Sequence, residues 1–191
     1  GTEIYAALKA ALKSRGLATA VGDEGGFAPS LRDDEQALEL LVEAIESAGS
    51  RPGADVAIAM DAAASEWTQG DGYRLPKNGQ SLTREALIAH FADLAGRFPI
   101  FSIEDPMGED DFEGFAHITE QLGAQVQIVG DDLFVTNPAR LEQGIRSRSA
   151  NAVLVKPNQI GTLSETIRTV RLAQQHGYRT ILSHRSGETE D

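Results

Sequence analysis

The stretch that most constrains the fold is Ala152-Val153-Leu154-Val155, four consecutive apolar residues that run into Lys156 and Pro157. Continuous rather than alternating apolar character marks a strand buried on both faces, the pattern of a parallel sheet covered by helices. Pro157 lacks the amide that the next ladder bond needs and ends the strand. Thr162, with Glu165 three residues on, reads as a capping box that opens a helix. Lys156 is therefore expected at the C-terminal end of a buried strand, where α/β folds carry their chemistry.

The same unit recurs along the chain. Residues 2–15 carry a helical stripe (Ile4, Leu8, Ala11, Leu12) stopped by Gly16. A short strand is expected at residues 18–21, followed by a glycine-rich turn around Glu24. A helix opening at Ser30, with Asp33 in its first turn, presents Leu38, Leu41, Val42 and Ile45 and ends at Gly49. Residues 55–60 form a strand tipped by Asp61, and residues 65–80 a polar hairpin or loop. Helix 83–95 leads to strand 99–103, tipped by Glu104. Helix 111–122 leads to strand 126–130, tipped by Asp131. Asn137-Pro138 opens the next helix with a cap and a first-turn proline. After Lys156 come a helix with Leu163, Ile167 and Val170, a strand at 178–182, and the loop Ser183-His184-Arg185-Ser186-Gly187.

Alternating strands and helices imply an α/β fold with a parallel sheet. An open doubly wound sheet concentrates its site at one switch point, whereas a (β/α)8 barrel brings all strand tips to one mouth. Every tip here carries an ionisable group, which favours the barrel. Only about six βα units are visible, so residues 1–191 are expected to be part of a barrel domain belonging to a longer chain.

A formal net charge of −12 disfavours direct nucleic-acid binding. The absence of cysteine excludes disulfides and thiolate metal sites. No apolar run approaches a membrane span and no signal peptide opens the sequence, so a cytoplasmic location is the expectation.

Asp61, Glu104 and Asp131 each end an apolar strand. Three carboxylates converging without His or Cys suit a hard divalent cation, Mg²⁺ or Mn²⁺ more than Ca²⁺. Each acid alone also serves as a plain helix cap or loop acceptor. Asp23, Asp105 and Asp132 are neighbouring acids that support them or simply make turns. Lys156 beside a cation would have its ammonium form disfavoured and could act as a general base on a carbon acid; otherwise it neutralises the acids. Glu24, in a turn flanked by glycines, is a candidate general acid or a surface residue. Ser183, His184, Arg185 and Ser186 supply a guanidinium, an imidazole and hydroxyls suited to a phosphate or carboxylate. His90, His117 and His176 fall in helical stretches and read as structural or exposed.

The chain resembles the enolase family. The resemblance rests on Val21-Gly22-Asp23-Glu24-Gly25-Gly26-Phe27-Ala28-Pro29, Met60-Asp61-Ala62-Ala63-Ala64-Ser65-Glu66, Ser102-Ile103-Glu104-Asp105-Pro106, Val129-Gly130-Asp131-Asp132-Leu133, Lys156 through Thr162, and Ser183-His184-Arg185-Ser186-Gly187-Glu188-Thr189-Glu190-Asp191. It implies a lyase interconverting 2-phosphoglycerate with phosphoenolpyruvate and water, using two Mg²⁺ ions. Asp61, Glu104 and Asp131 then match the ligands of the tighter ion, and Glu104 and Asp131 also line the substrate site. Lys156 matches the base, Glu24 the acid, and Arg185 with Ser186 the phosphate-binding pair, His184 and Ser183 lining the same pocket. The family's N-terminal capping domain, first barrel strand and last strand have no counterpart here. The resemblance further implies a homodimer or octamer. As alternatives it implies a non-catalytic role, binding plasminogen at the cell surface or after secretion or serving an RNA-processing complex, or an acid dehydratase of the wider superfamily.

Overall fold

The computed structural model describes residues 1–22 and 25–185. Helix α1 (Thr2–Ser14) packs on α2 (Asp34–Ser47). Strand β1 (Ile58–Asp61) follows, then a 3-10 turn (Ala64–Trp67) and a small antiparallel sheet of β2 (Thr68–Gln69), β3 (Gly72–Arg74) and β4 (Ser81–Leu82). The rest alternates α3 (Arg84–Arg97), β5 (Ile100–Glu104), α4 (Phe112–Leu122), β6 (Gln127–Gly130), α5 (Pro138–Ser147), β7 (Ala152–Val155), α6 (Pro157–Ile160), α7 (Leu163–Gln175) and β8 (Arg179–Leu182).

Among the described residues the main sheet has five strands in the order β1-β5-β6-β7-β8, every pair parallel. Spatial order follows chain order without reversal, so there is no switch point. Each strand adds to the same side of its predecessor, the winding of a barrel rather than of a doubly wound sheet.

The side chains explain the layering. All four residues of β7 are buried. Val153 and Val155 join the large core, with Ile103, Ile128, Leu87, Phe91, Phe115, Ile118 and Leu141. Ala152 and Leu154 turn the other way and meet Val129 and Ile181. The alternation of side chains along one apolar run thus fills both faces, as its continuity predicts.

Caps fix where the helices begin, and so where the strand-to-helix loops end. Thr83, Asp111, Asn137 and Thr162 accept the amides of Ala86, Gly114, Ala139 and Glu165. The second helix starts at Asp34 rather than near Ser30, because Asp33 is its cap and accepts the Gln36 amide at 2.9 Å. Leu38, Leu40, Ala44 and Ile45 are its buried residues, with Leu41 and Val42 only partly covered.

The expected strand at residues 18–21 does not form. Val21 makes a single antiparallel bridge to Phe27. The Ala28 amide donates to Ala20 and the Gly22 amide to Gly26, so the backbone bonds of this stretch close locally. The first of the six expected strands is therefore irregular backbone with one isolated bridge. At the other end β8 is less buried than its sequence suggests, and Leu182 is 76% exposed on an outer strand. No helix of the described residues is long and apolar enough to cross a membrane.

Candidate active site

A parallel sheet sends all its C-terminal ends to one side. Asp61 is the register partner of Glu104. Glu104 pairs with Val129, two residues short of Asp131. Val155, just before Lys156, pairs with Leu182, just before Ser183. The result is one cleft of about 380 Å³ lined by Asp61, Glu104, Asp131, Leu154, Lys156, Ser183, His184 and Arg185. The sequence named every one of these except Leu154. Glu24 and Ser186 lie outside the described residues.

Within the cleft, the Lys156 ammonium contacts Asp131 Oδ2, the two side chains being 17% and 10% exposed. Asp131 Oδ1 is buried and has no hydrogen-bond partner among the described residues. Asp61 Oδ1 accepts the Ala63 amide at 3.0 Å. Burial, then the charges of Asp61, Asp131 and Asp105, push the Glu104 carboxyl up to about 8 against the opposing pull of Lys156. Burial also raises Asp61; the Ala63 amide opposes it and the charges of Asp131 and Asp132 add to it.

At Glu104, burial and the neighbouring acids outweigh the pull of Lys156. A buried orphan carboxylate oxygen is costly unless something satisfies it. The donor set is all oxygen, the chemistry of a hard divalent cation such as Mg²⁺, but among the described residues the carboxylate triple with oxygens within 4.8 Å of one another is Asp105, Asp131 and Asp132 rather than Asp61, Glu104 and Asp131.

A second acidic group overlaps the first. One oxygen from each of Asp105, Asp131 and Asp132 lies within 4.8 Å of the others. Asp105 is buried and has φ +41°; its Oδ1 accepts the Asp131 amide at 3.0 Å and its Oδ2 the Asp132 amide at 2.8 Å. Burial raises its carboxyl to about 7, with both amides pulling the other way. Asp105 thus ties the tip of β5 to the tip of β6, and a cation on it would compete with two backbone amides. For this clamp the sequence carries only a turn signal, Asp105 before Pro106.

A larger cleft of about 520 Å³ lies beside the small sheet, bounded by Tyr73, Arg84, Asp110 and Asp111 among others. Arg84, the one cation among its lining residues, is paired with Asp111 and Glu113 at 2.8 Å each. It has no spare charge for an anionic substrate.

Residues 1–191 match the family described as enolase, C-terminal TIM barrel domain. The chain belongs to that family. A curated relative, the enolase of Mycobacterium leprae (strain TN), is 57% identical over 192 residues, covering all of this chain. The chain spans 44% of that relative's length. The enolase barrel accounts for the one-directional winding and for the convergence of tips on a single cleft.

Proposed function

We propose that this protein is a Mg²⁺-dependent enolase-type lyase that reversibly dehydrates 2-phosphoglycerate to phosphoenolpyruvate in the cytoplasm. The described residues form part of its barrel, and the remaining strands and a capping domain come from elsewhere in the protein. The observation that carries the reading is Asp131, shared between Lys156 through one oxygen and an unpartnered buried position through the other, in a cleft with Asp61 and Glu104. Membership of the enolase family and the 57% identical relative support it.

Asp61, Glu104 and Asp131 would hold the cation, in preference to Asp105, whose oxygens are already engaged by backbone. A Mg²⁺ ion held there would supply Lewis-acid stabilisation of the substrate carboxylate as charge builds on it. Lys156, the base in this reading, takes the proton from carbon 2, and the released electron pair passes into the adjacent carboxylate. Those electrons then form the double bond to carbon 3, whose hydroxyl departs as water with a proton from Glu24. Arg185 and Ser186 grip the phosphate, with His184 and Ser183 beside them, so that carbon 2 faces the amine.

The test is turnover of 2-phosphoglycerate by the full-length protein, followed by the ultraviolet absorbance of the enol product. Activity requiring Mg²⁺ is expected, with Lys156→Ala lowering kcat by about a thousandfold, within the range for a lost general base. Absence of turnover, or an unchanged rate in that variant, overturns the reading.

A further inference from the structure

The segment from Asp131 to Asn137 contains two consecutive β-branched residues in the left-handed region, Val135 at φ +44° and Thr136 at φ +57°. β-Branched side chains avoid this conformation, and it persists only where surrounding contacts over-determine it. The contacts converge on Thr136, which is fully buried. Its hydroxyl accepts the Lys156 amide at 2.9 Å and donates to Gln159 Oε1 of α6 at 3.0 Å. Its carbonyl accepts the Thr169 hydroxyl of α7 at 2.7 Å.

Together these bonds make a closed circuit. The Asp131 carbonyl accepts the Val135 amide at 2.7 Å, and Thr136 follows directly. Thr136 holds the Lys156 backbone, and the Lys156 ammonium returns to Asp131 Oδ2. Lys156 sits just past the end of β7, where its backbone leaves the ladder and caps no helix with its side chain. The Thr136 hydroxyl is thus the acceptor that fixes the direction in which the lysine leaves the strand. Glycine would adopt this φ freely but has no hydroxyl, and the site keeps a strained threonine instead.

We propose that Thr136 is a positioning residue for Lys156, setting where the amine stands relative to the carbon it deprotonates. The proposal rests on the reading of Lys156 as the base. Thr136 does not line the cleft. It acts through the lysine backbone, so its loss affects the chemical step more than the binding of substrate or metal.

The experiment compares Thr136→Val, Thr136→Ser and Lys156→Ala in the full-length protein, measuring kcat and KM for 2-phosphoglycerate and, separately, Mn²⁺ affinity. Thr136→Val is expected to lower kcat roughly ten- to a hundredfold, with KM and Mn²⁺ affinity within about threefold of the original protein. Thr136→Ser restores the hydroxyl and brings kcat back to within about threefold. If Thr136→Val does not fold, Gln159→Leu on half-exposed α6 carries the same test, with a several-fold fall in kcat alone. Equal losses in the Val and Ser variants, a fall in metal affinity that matches the fall in kcat, or a kcat unchanged in whichever of Thr136→Val and Gln159→Leu is assayed overturns the proposal. Full activity in Lys156→Ala overturns the reading of the base and this inference with it. Activity lost there but intact in Thr136→Val overturns this inference alone.

Discussion

Asp61 stands directly opposite Glu104 in the parallel register of β1 and β5. Neighbouring strands run about 4.8 Å apart, so the register forces two carboxylates into one small volume. A pair of like charges on adjacent strands opposes folding unless a proton or a cation intervenes. The sheet therefore holds these acids in an arrangement that favours a positive charge between them.

The first prediction is a stability profile in pH. The Glu104 carboxyl moves from an ordinary 4.5 to about 8 on folding. Its raised value favours the folded state when protonated, so the contribution is complete below about pH 4.5 and is lost as pH climbs through about 8. Asp105, raised to about 7, acts in the same direction. Urea denaturation of the metal-free full-length protein should show stability falling between about pH 5 and 8. Glu104→Gln should flatten that fall, and Mg²⁺ should do the same without a mutation. A profile rising over this range would contradict the account.

The second concerns the small antiparallel sheet. Asp111 caps α4 through the Gly114 amide at 2.9 Å, accepts the Tyr73 hydroxyl at 2.8 Å, and pairs with Arg84. Burial alone would raise its carboxyl, but Arg84, the Gly114 amide and Tyr73 outweigh it and hold the value below the usual carboxylate range. The stability it provides is present above the unfolded value and lost as pH falls through the lower folded one. Asp111→Ala removes the cap and leaves Tyr73 without its acceptor, a cost of about 2–4 kcal/mol at pH 7. Asp111→Asn keeps one acceptor oxygen, enough for the Gly114 amide but not for the Tyr73 hydroxyl on the other oxygen as well, and should lose less than Asp111→Ala. Denaturant midpoints of the two variants decide it.

The third sets helix propensity against packing. A Cβ on Gly144 of α5 would lie 2.4 Å from Phe134 Cε1, and one on Gly130 2.6 Å from Phe134 Cδ2. Alanine gains about 1 kcal/mol over glycine in a helix, but forcing a buried phenylalanine aside costs about 1–3 kcal/mol. Phe134 is fully buried, so Gly144→Ala should destabilise by about 1 kcal/mol net. Adding Phe134→Leu should recover part of the loss, a coupling that a double-mutant cycle measures.

Much of this was legible in the sequence, for identifiable reasons. The strand ends at Asp61, Glu104, Asp131 and Lys156 followed from apolar runs broken by a polar residue, a pattern set by burial alone. The caps Asn137 and Thr162 were legible because capping is a local event. What stayed hidden depends on distant partners. Residues 18–21 have strand-like composition, but their backbone bonds close on residues 26–28, which a window over the strand does not show. Asp105 reads as a turn residue and Thr136 carries no signal of its own; their roles arise from amides 26 and 20 residues away. Left-handed valine and threonine have no signature in composition, because the contacts that hold them come from other elements.

The central claim, that Asp61, Glu104 and Asp131 share one divalent ion beside Lys156, is tested most directly by Mn²⁺ binding to the full-length protein, read by electron paramagnetic resonance. Asp132 belongs to the overlapping acidic group and does not line the cleft, so it separates the two sites. Asp61→Asn and Glu104→Gln should each weaken the tightest Mn²⁺ site by at least about tenfold, while Asp132→Asn stays within about threefold. Tight binding that survives both Asp61→Asn and Glu104→Gln but is lost in Asp132→Asn would move the ion to the other acids and contradict the account.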